Sequence, residues 1–331
     1  MKAMLIPGLV CAVLSVVLMR TGFLAFFFLV PLGYAAVVFN SMFAWFACVI
    51  AIGLNAVFSL GMSLLFRGGI SGSGLDIFYF SVLALGFTWI MAGGIIPNIR
   101  TMYRFIAAAA AGALTFFSVI LLASRDPVLS GVIRSQVEMI SSAYITSQGA
   151  DAARQSFLER LLTPERILET ITAITMRGGA LVSAFFLLFI SRQTAYIIAR
   201  LFRRRPLSST GELSRFHVPA NTIWVLSVCL LVLLLSRLLK AELAEIAAWN
   251  VLTICAILFL AQGSGIVLHT LIQRPMPPLL RLLCNVLIIV LIFSPGINMF
   301  ALGGLVLLGI AENWLPLRLP KNNGPASTPG L

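Results

Sequence analysis

Long apolar runs without Asp, Glu, Lys or Arg dominate this chain of 331 residues. A helix needs about 20 mainly apolar residues to cross the hydrocarbon core of a bilayer. The pattern therefore predicts an all-α fold, a polytopic bundle of transmembrane helices. The charge-free runs are 3–19, 21–66, 77–99, 105–124, 178–191, 216–236, 246–273 and 282–311.

Two of these runs are long enough for two spans each. The run 21–66 allows a turn near Asn40, and proline and glycine at 294–296 favour a tight hairpin within the run 282–311. A single kinked helix is the alternative for the second run. The pattern predicts about ten spans, or nine in that alternative, and the limits are 3–19, 22–39, 42–66, 77–98, 105–123, 171–198, 219–239, 246–271, 278–293 and 297–314.

The basic residues predict the orientation of the bundle, because Lys and Arg are enriched in cytoplasmic loops. With the N-terminus inside, the cytoplasmic segments hold 12 Lys and Arg, whereas the short external loops hold four. Both termini are therefore predicted to be cytoplasmic, as an even number of spans requires. Residues 319–331, beyond the last span, are predicted to form a disordered tail.

The polar segment 125–170 separates two predicted bundles. Residues 1–124 form an N-terminal bundle of five spans, and residues 171–318 form a C-terminal bundle of five spans with a basic cytoplasmic loop at 199–218. The segment between them is predicted to be external, helical and amphipathic, and Thr163-Pro164-Glu165 is typical of a helix start. Two roles fit this segment: a pair of interfacial helices that only cover the bundle, and a lid or docking surface above it.

Composition narrows the class of protein. Hydrophobic residues make up 60% of the chain and charged residues 10%, whereas soluble domains have about 45–50% and about 25%. The net charge of +12 comes mostly from loops between apolar runs, so the positive-inside rule explains it better than nucleic-acid binding does. The composition therefore disfavours soluble enzymes and nucleic-acid-binding domains.

The sequence offers little catalytic chemistry. It has two histidines, and its aspartates lie in or beside predicted external segments, so an intramembrane pair of aspartates is absent. No G-x-S-x-G, H-E-x-x-H or P-loop motif occurs. We therefore predict that the protein is not an enzyme and binds no cofactor or metal. Active transport would take its energy from an ion gradient or from a separate ATPase.

Polar side chains inside predicted spans are the candidates for ligand binding, because they are unfavourable in lipid. Gln262 and His269 are seven residues apart and so share one helix face, with glycines nearby that allow close approach. Asn250 lies on the same predicted span, and Arg177, near the outer end of another span, can hold an anionic group. The alternatives are interhelical hydrogen bonds for the amides and snorkelling for Arg177.

Glu312 and Arg318 are candidates for a coupling or docking role. Glu312 is the only acidic residue in the final quarter of the chain, and it lies near the inner end of the last predicted span, ahead of Arg318. The alternative is that Glu312 forms an interfacial ion pair or a helix cap without a further role.

Several short motifs in the second half resemble the YybS-like family of bacterial polytopic membrane proteins. They are Arg203-Arg204-Arg205, Phe216-His217-Val218-Pro219 leading into Ile223-Trp224, Gln262-Gly263, and Leu308-Gly309-Ile310-Ala311-Glu312 followed by Arg318. The resemblance covers most of the chain in layout. It implies a multi-pass protein of the bacterial cytoplasmic (inner) membrane.

The first five predicted spans are also similar to the membrane-embedded substrate-capture subunits of energy-coupling-factor vitamin transporters. The shared features are a short first span, Pro31-Leu32 opening the second span, and a third span after almost no loop. Those subunits usually have six spans, fewer than the ten predicted here. The similarity implies a substrate-binding membrane component that works with an energising ATPase and a coupling subunit.

Together these features predict a small-molecule-binding or transporter component that lacks its own ATPase, with its cavity near the outer face under residues 125–170. The predicted partners are the lipid bilayer and separate ATPase and coupling subunits, and nucleic acid is not among them. The alternative is a non-transporting scaffold or assembly factor that binds envelope proteins through the same segment.

Overall fold

The computed structural model describes residues 2–65, 70–93, 100–125, 163–203, 214–273, 297–315 and 317–318, with a few single residues in 131–142 and 283–294. Within these ranges the chain forms α-helices, one 3-10 helix and one π-helical segment. The α-helices are α1 Lys2–Arg20, α2 Val30–Val38, α3 Ser41–Leu65, α4 Ile70–Ala92, α5 Thr101–Arg125, α6 Pro164–Ile174, α7 Ala180–Arg203, α8 Thr222–Leu239, α9 Glu242–Gln273 and α10 Ile297–Ala311.

The described helices have the length and composition of membrane spans. Six stretches are long and apolar enough to cross a bilayer: Ser41–Leu64, Gly74–Ala92, Thr101–Leu121, Glu169–Phe202, Thr222–Leu239 and Glu242–Leu271. Three shorter apolar helices accompany them: Ile6–Arg20, Leu24–Val38 and Ile297–Ala311. An all-α helical membrane protein is therefore confirmed, whereas the count of ten spans and the side of the termini stay predictions.

The chain divides into two compact units, and unit 1 comprises residues 1–206 and 245–250. The short helix α2 lies at its centre, in contact with α1, α3, α4 and α7. The sequence of α2 is apolar on every side, and most of its residues are buried. A helix without a polar face is stable only when it is surrounded on all sides, which explains its central position.

The second predicted span is interrupted in the structure. A 3-10 helix, Gly22–Phe27, precedes α2, and carbonyl groups at the junction receive hydrogen bonds from side chains. The Ser15 hydroxyl on α1 donates to the carbonyl of Phe28 at 2.6 Å. The Ser191 hydroxyl on α7 lies 3.5 Å from the carbonyl oxygen of Phe26, within the 3-10 helix. These hydroxyls supply the partners that backbone groups need in a bilayer, where no water is present.

The sixth predicted span is also interrupted, close to its start. Helix α6 begins at Pro164 with Thr163 as its N-cap residue, as the sequence predicts, although the threonine side chain makes no capping hydrogen bond. The π-helical segment Thr175–Gly179 then separates α6 from α7. Arg177 and Gly178 depart from helical backbone angles there. Gly178 has a φ of 105°, which residues with a Cβ rarely adopt, so the break depends on glycine.

Unit 2 comprises residues 207–244 and 251–331, so α9 contributes residues 245–250 to unit 1 and the rest of its length to unit 2. Helix α8 has apolar side chains around its whole circumference, and only 11% of it is buried inside the protein. Such a helix is stable where lipid rather than water surrounds it. The exposure of α8 therefore agrees with a membrane-spanning role.

Several predictions fall outside the described residues. Most of the segment 125–170, predicted to be external, is among them, apart from α6 and a few single residues, and so is residue range 204–213 of the predicted basic loop. The hairpin at Pro295 and the tail 319–331 also lie outside. The predicted division of the chain into two five-span bundles stays a prediction.

Candidate functional site

Gln262 on α9 is fully buried, and both polar atoms of its amide are engaged within unit 2. Its Nε2 donates to Glu312 Oε2 at 2.9 Å, and its Oε1 accepts the Val218 backbone N–H at 2.8 Å. Glu312 follows directly after α10 and is buried as well. One side chain therefore links α9, the end of α10 and the segment that precedes α8.

Arg318 completes the same network. Its Nη1 donates to the carbonyl oxygens of Ser214 and Phe216, both at 2.8 Å, and its Nη2 donates to the carbonyl of Gln262 at 2.9 Å. Its Nε lies 2.9 Å from Glu312 Oε1, which makes a buried ion pair. Burial lowers the pKa of the Arg318 guanidinium, and the charge of Glu312 opposes that shift. Arginine nevertheless keeps its proton in proteins.

We call Gln262, Glu312 and Arg318 the clasp. Buried charges are unfavourable unless they are paired and hydrogen-bonded, and the clasp meets both conditions. Three of the six predicted site residues thus meet at one place. The ion pair that the sequence offered as the alternative for Glu312 is present, and its coupling role stays a prediction. At the exposed edge of the clasp, His217 Nδ1 lies 3.9 Å from Glu312 Oε2.

Two glycines explain how the clasp residues come within hydrogen-bonding distance. A Cβ added at Gly263 would lie 1.9 Å from the carbonyl oxygen of Leu305, and one added at Gly309 would lie 2.1 Å from that of Phe259. The backbones of α9 and α10 therefore touch, which only glycine permits at these two positions. Each glycine is within three residues of a clasp residue, so the close contact brings the two side chains together.

Arg177 and Asn250, two further predicted ligand-binding residues, meet at the π-helical break in unit 1. Asn250 Nδ2 donates to the carbonyl of Met176 at 2.6 Å and to that of Ile246 at 2.9 Å. Arg177 Nη2 lies 3.4 Å from Glu245 Oε1. The Asn250 amide thus supports an irregular stretch of backbone, which is the interhelical role that the sequence offered as its alternative. A ligand-binding role stays a prediction for both residues.

His269 joins neither group. It lies two turns beyond Gln262 on α9, and its Nε2 is buried without a hydrogen-bond partner in the described part of the chain. The shared helix face that the sequence predicted does not bring the imidazole into the clasp. The role of His269 in ligand binding stays a prediction.

The sequence pattern did not single out a second polar cluster, which lies in unit 1. Arg20, the last residue of α1, donates through Nη2 to Asn55 Oδ1 at 2.7 Å, to Ser59 Oγ at 2.6 Å and to Asp76 Oδ2. Ser59 Oγ donates to the same Asp76 oxygen at 2.6 Å. The Arg20 guanidinium carbon also lies 5.0 Å from the centre of the Phe58 ring. We call Arg20, Asn55, Ser59 and Asp76 the Arg20 cluster.

The sequence does contain a signal for this cluster. Asn55 and Ser59 are four residues apart and so lie on one face of α3. Arg20 follows one apolar run and Asp76 precedes another, on the same predicted side of the membrane. Opposite charges at the same depth in a membrane favour pairing. No group of three or more His, Cys, Asp or Glu side chains suited to a metal ion occurs among the residues that the structure describes.

Comparison with known proteins agrees with the membrane architecture. The family model described as "Predicted membrane protein (DUF2232)" matches residues 23–306, which is most of the chain. The match extends from the 3-10 helix into α10. No curated protein and no solved structure matches the chain.

Proposed function

The chain belongs to the DUF2232 family of predicted membrane proteins, and from this premise we propose that it is a small-molecule-binding component of a transporter energised by a separate ATPase. The observation that carries the proposal is the clasp, in which the Glu312–Arg318 ion pair is buried and joined to Gln262. A buried charge in a membrane protein is unfavourable, and charged groups kept there commonly have a role.

The position of the clasp in the chain suggests what that role is. Arg318 and Gln262 hold the backbone at residues 214–218, which form the end of the predicted basic cytoplasmic loop. The same two side chains are fixed to α9 and to the end of α10. A partner that binds the loop would therefore be connected rigidly to two apolar helices. This connection supports the coupling role that we assign to Glu312 and Arg318.

The number of apolar helical stretches in unit 1 supports the binding role. In the described part of the chain, unit 1 holds six apolar helical stretches, four of them long and two short. Six is also the usual number of spans in the substrate-capture subunits that the first five predicted spans resemble. The broken second stretch at the centre of unit 1 is a further feature of membrane proteins that bind small molecules.

We also propose ten spans in the bacterial inner membrane, cytoplasmic termini, and no catalytic activity. The distribution of Lys and Arg and the YybS-like motifs support this topology. Cysteine labelling in intact cells tests it at two exposed positions. The introduced thiol of His217→Cys should react only with a membrane-permeant reagent, and that of Lys240→Cys should also react with an impermeant one. Labelling of both by the impermeant reagent would contradict the proposed orientation.

Co-purification tests the transporter role. The tagged protein is extracted from its own cells in mild detergent, and mass spectrometry identifies what is recovered with it. We expect an ATPase and a membrane coupling subunit in stoichiometric amounts. Glu312→Gln should reduce their recovery, whereas Glu245→Gln, which breaks the ion pair with Arg177 instead, should leave it unchanged. Recovery of envelope proteins without an ATPase would overturn the proposal and favour a scaffold.

A further inference from the structure

The Arg20 cluster has hydrogen-bonding groups that it does not use. Its hydrogen bonds involve one guanidinium nitrogen, Arg20 Nη2, and one carboxylate oxygen, Asp76 Oδ2. Among the described residues, Arg20 Nε and Nη1 and Asp76 Oδ1 make no hydrogen bond or ion pair. Both side chains are partly exposed. Within the described part of the chain, the cluster therefore presents unused donors on a cation beside an unused acceptor on an anion.

Asn55 provides a second, independent observation. The residue is completely buried, and its Nδ2 has no hydrogen-bond partner among the described residues, while Oδ1 of the same planar amide accepts from Arg20. A buried amide N–H without a partner is unfavourable and is rare in folded proteins. The cluster thus also holds an amide donor, beside the oxygen that accepts from Arg20, that no described acceptor uses.

We propose that the Arg20 cluster binds a small zwitterion of the α-amino-acid type, with its carboxylate on Arg20 and its ammonium group on Asp76. Guanidinium N–H groups bind carboxylates in a planar, charge-assisted geometry, and a carboxylate oxygen accepts from an ammonium group. The inference rests on the proposed small-molecule-binding function and names the class of its ligand.

The paired charges of the cluster favour a zwitterion over an ion of one sign. A simple anion at Arg20 would lie beside the carboxylate of Asp76, and a simple cation at Asp76 would lie beside the guanidinium of Arg20. A ligand with both charges is attracted by both side chains and adds no net charge to a partly buried site. The Phe58 ring beside Arg20 offers an apolar wall for the ligand's side chain.

Equilibrium binding to the purified full chain in detergent tests this inference. The probes are the protein amino acids, with acetate and methylammonium as ligands that carry one charge each. We expect at least one amino acid to bind and to raise the Tm, and we expect acetate and methylammonium to do neither. The proposal is overturned if no amino acid binds, or if acetate or methylammonium binds as tightly as the best amino acid.

Variants locate the binding site. Arg20→Gln and Asp76→Asn should each weaken binding by about 30-fold or more, because each leaves one charge of the ligand without its partner. Glu245→Gln alters the ion pair with Arg177 and should leave the affinity unchanged. Unchanged affinity in both cluster variants would place the site elsewhere and overturn the inference.

The wild-type chain allows the same test if a variant aggregates. N-acetylation of the best-binding amino acid removes its positive charge, and methyl esterification removes its negative charge. Each derivative should bind about 30-fold more weakly or worse, and a derivative that binds as well as its parent contradicts the proposal. Amino-acid binding without a co-purified ATPase would overturn only the transporter role, whereas a co-purified ATPase without amino-acid binding would overturn only the zwitterion site.

Discussion

Glu312 and Arg318 in unit 2 form an ion pair whose side chains are 5% and 14% exposed, whereas the side chains of Arg20 and Asp76 in unit 1 are 31% and 26% exposed. The first pair is surrounded by partners: the Gln262 amide and three backbone carbonyls. The second pair shares one nitrogen and one oxygen, and its other polar atoms have no partner among the described residues. One ion pair is therefore closed, and the other is open.

The difference shows that a buried charge in a membrane protein is not by itself a ligand site. In the clasp the charged groups are used to fix backbone segments to each other, and both polar atoms of the Gln262 amide are occupied. In the Arg20 cluster the pair satisfies itself only in part. A closed pair should therefore matter for stability, and an open pair should matter for binding. Substitutions in the two clusters can separate these effects.

The largest effect is expected from Glu312→Gln. The substitution leaves the buried Arg318 guanidinium charged and without its carboxylate, so the free energy of unfolding should fall by about 3–5 kcal/mol. Denaturant unfolding in detergent micelles measures the loss. As a control, Glu312→Gln combined with Arg318→Gln removes both charges and should be more stable than the single variant. A double variant less stable than the single one would show that the ion pair is not the cause.

Gly263→Ala should destabilise the protein by about 1–3 kcal/mol, because its Cβ would collide with the carbonyl of Leu305 and push α9 and α10 apart. The Tm of the purified protein reports the change. Gly303→Ala on α10 is the matched control, since no described atom beyond the neighbouring residues and backbone of its own helix lies within 4 Å of the added Cβ. It should be neutral or slightly stabilising, because alanine favours the helix more than glycine does. Equal losses in both variants would refute the close contact.

Asp76→Asn should change the free energy of unfolding by only about 1 kcal/mol or less, because the Arg20–Asp76 pair is partly exposed and its attraction is screened. The same unfolding assay as for Glu312→Gln allows a direct comparison of the two pairs. A loss of stability as large as that of Glu312→Gln would show that the Arg20–Asp76 pair stabilises the fold as much as the Glu312–Arg318 pair does, and the proposed difference between the two pairs would be wrong.

The smallest effect is expected from Asn250→Leu, which removes the hydrogen bond to the Met176 carbonyl at the break before α7. Hydrogen bonds between membrane helices contribute about 0.6 kcal/mol on average, so a small decrease in Tm is expected. Asn221→Ala is the control, because this N-cap asparagine makes no capping hydrogen bond through its side chain. A decrease in the control as large as that in Asn250→Leu would argue against a specific role for the amide.

Parts of both clusters could be predicted from the sequence, for different reasons. Gln262 and Glu312 are conspicuous because each is a polar residue in or beside a long apolar run, although 50 residues separate them and nothing local says that they meet. Arg20 and Asp76 are less conspicuous because both lie where apolar runs end, so they resemble loop residues. Hydropathy does not reveal the breaks in the second and sixth predicted spans, because it measures the length of an apolar run and not the continuity of the helix.

The sequence by itself determined that this is an α-helical membrane protein. Its apolar runs are long enough to cross a bilayer, and in lipid a backbone must satisfy its own hydrogen bonds, which a single segment can do only as a helix. Only the tertiary structure decided which polar groups meet, and which of the two ion pairs is buried and which is partly exposed. Each residue turns a helix by about 100°, so small differences in rotation or depth decide whether side chains 35 or 50 residues apart touch.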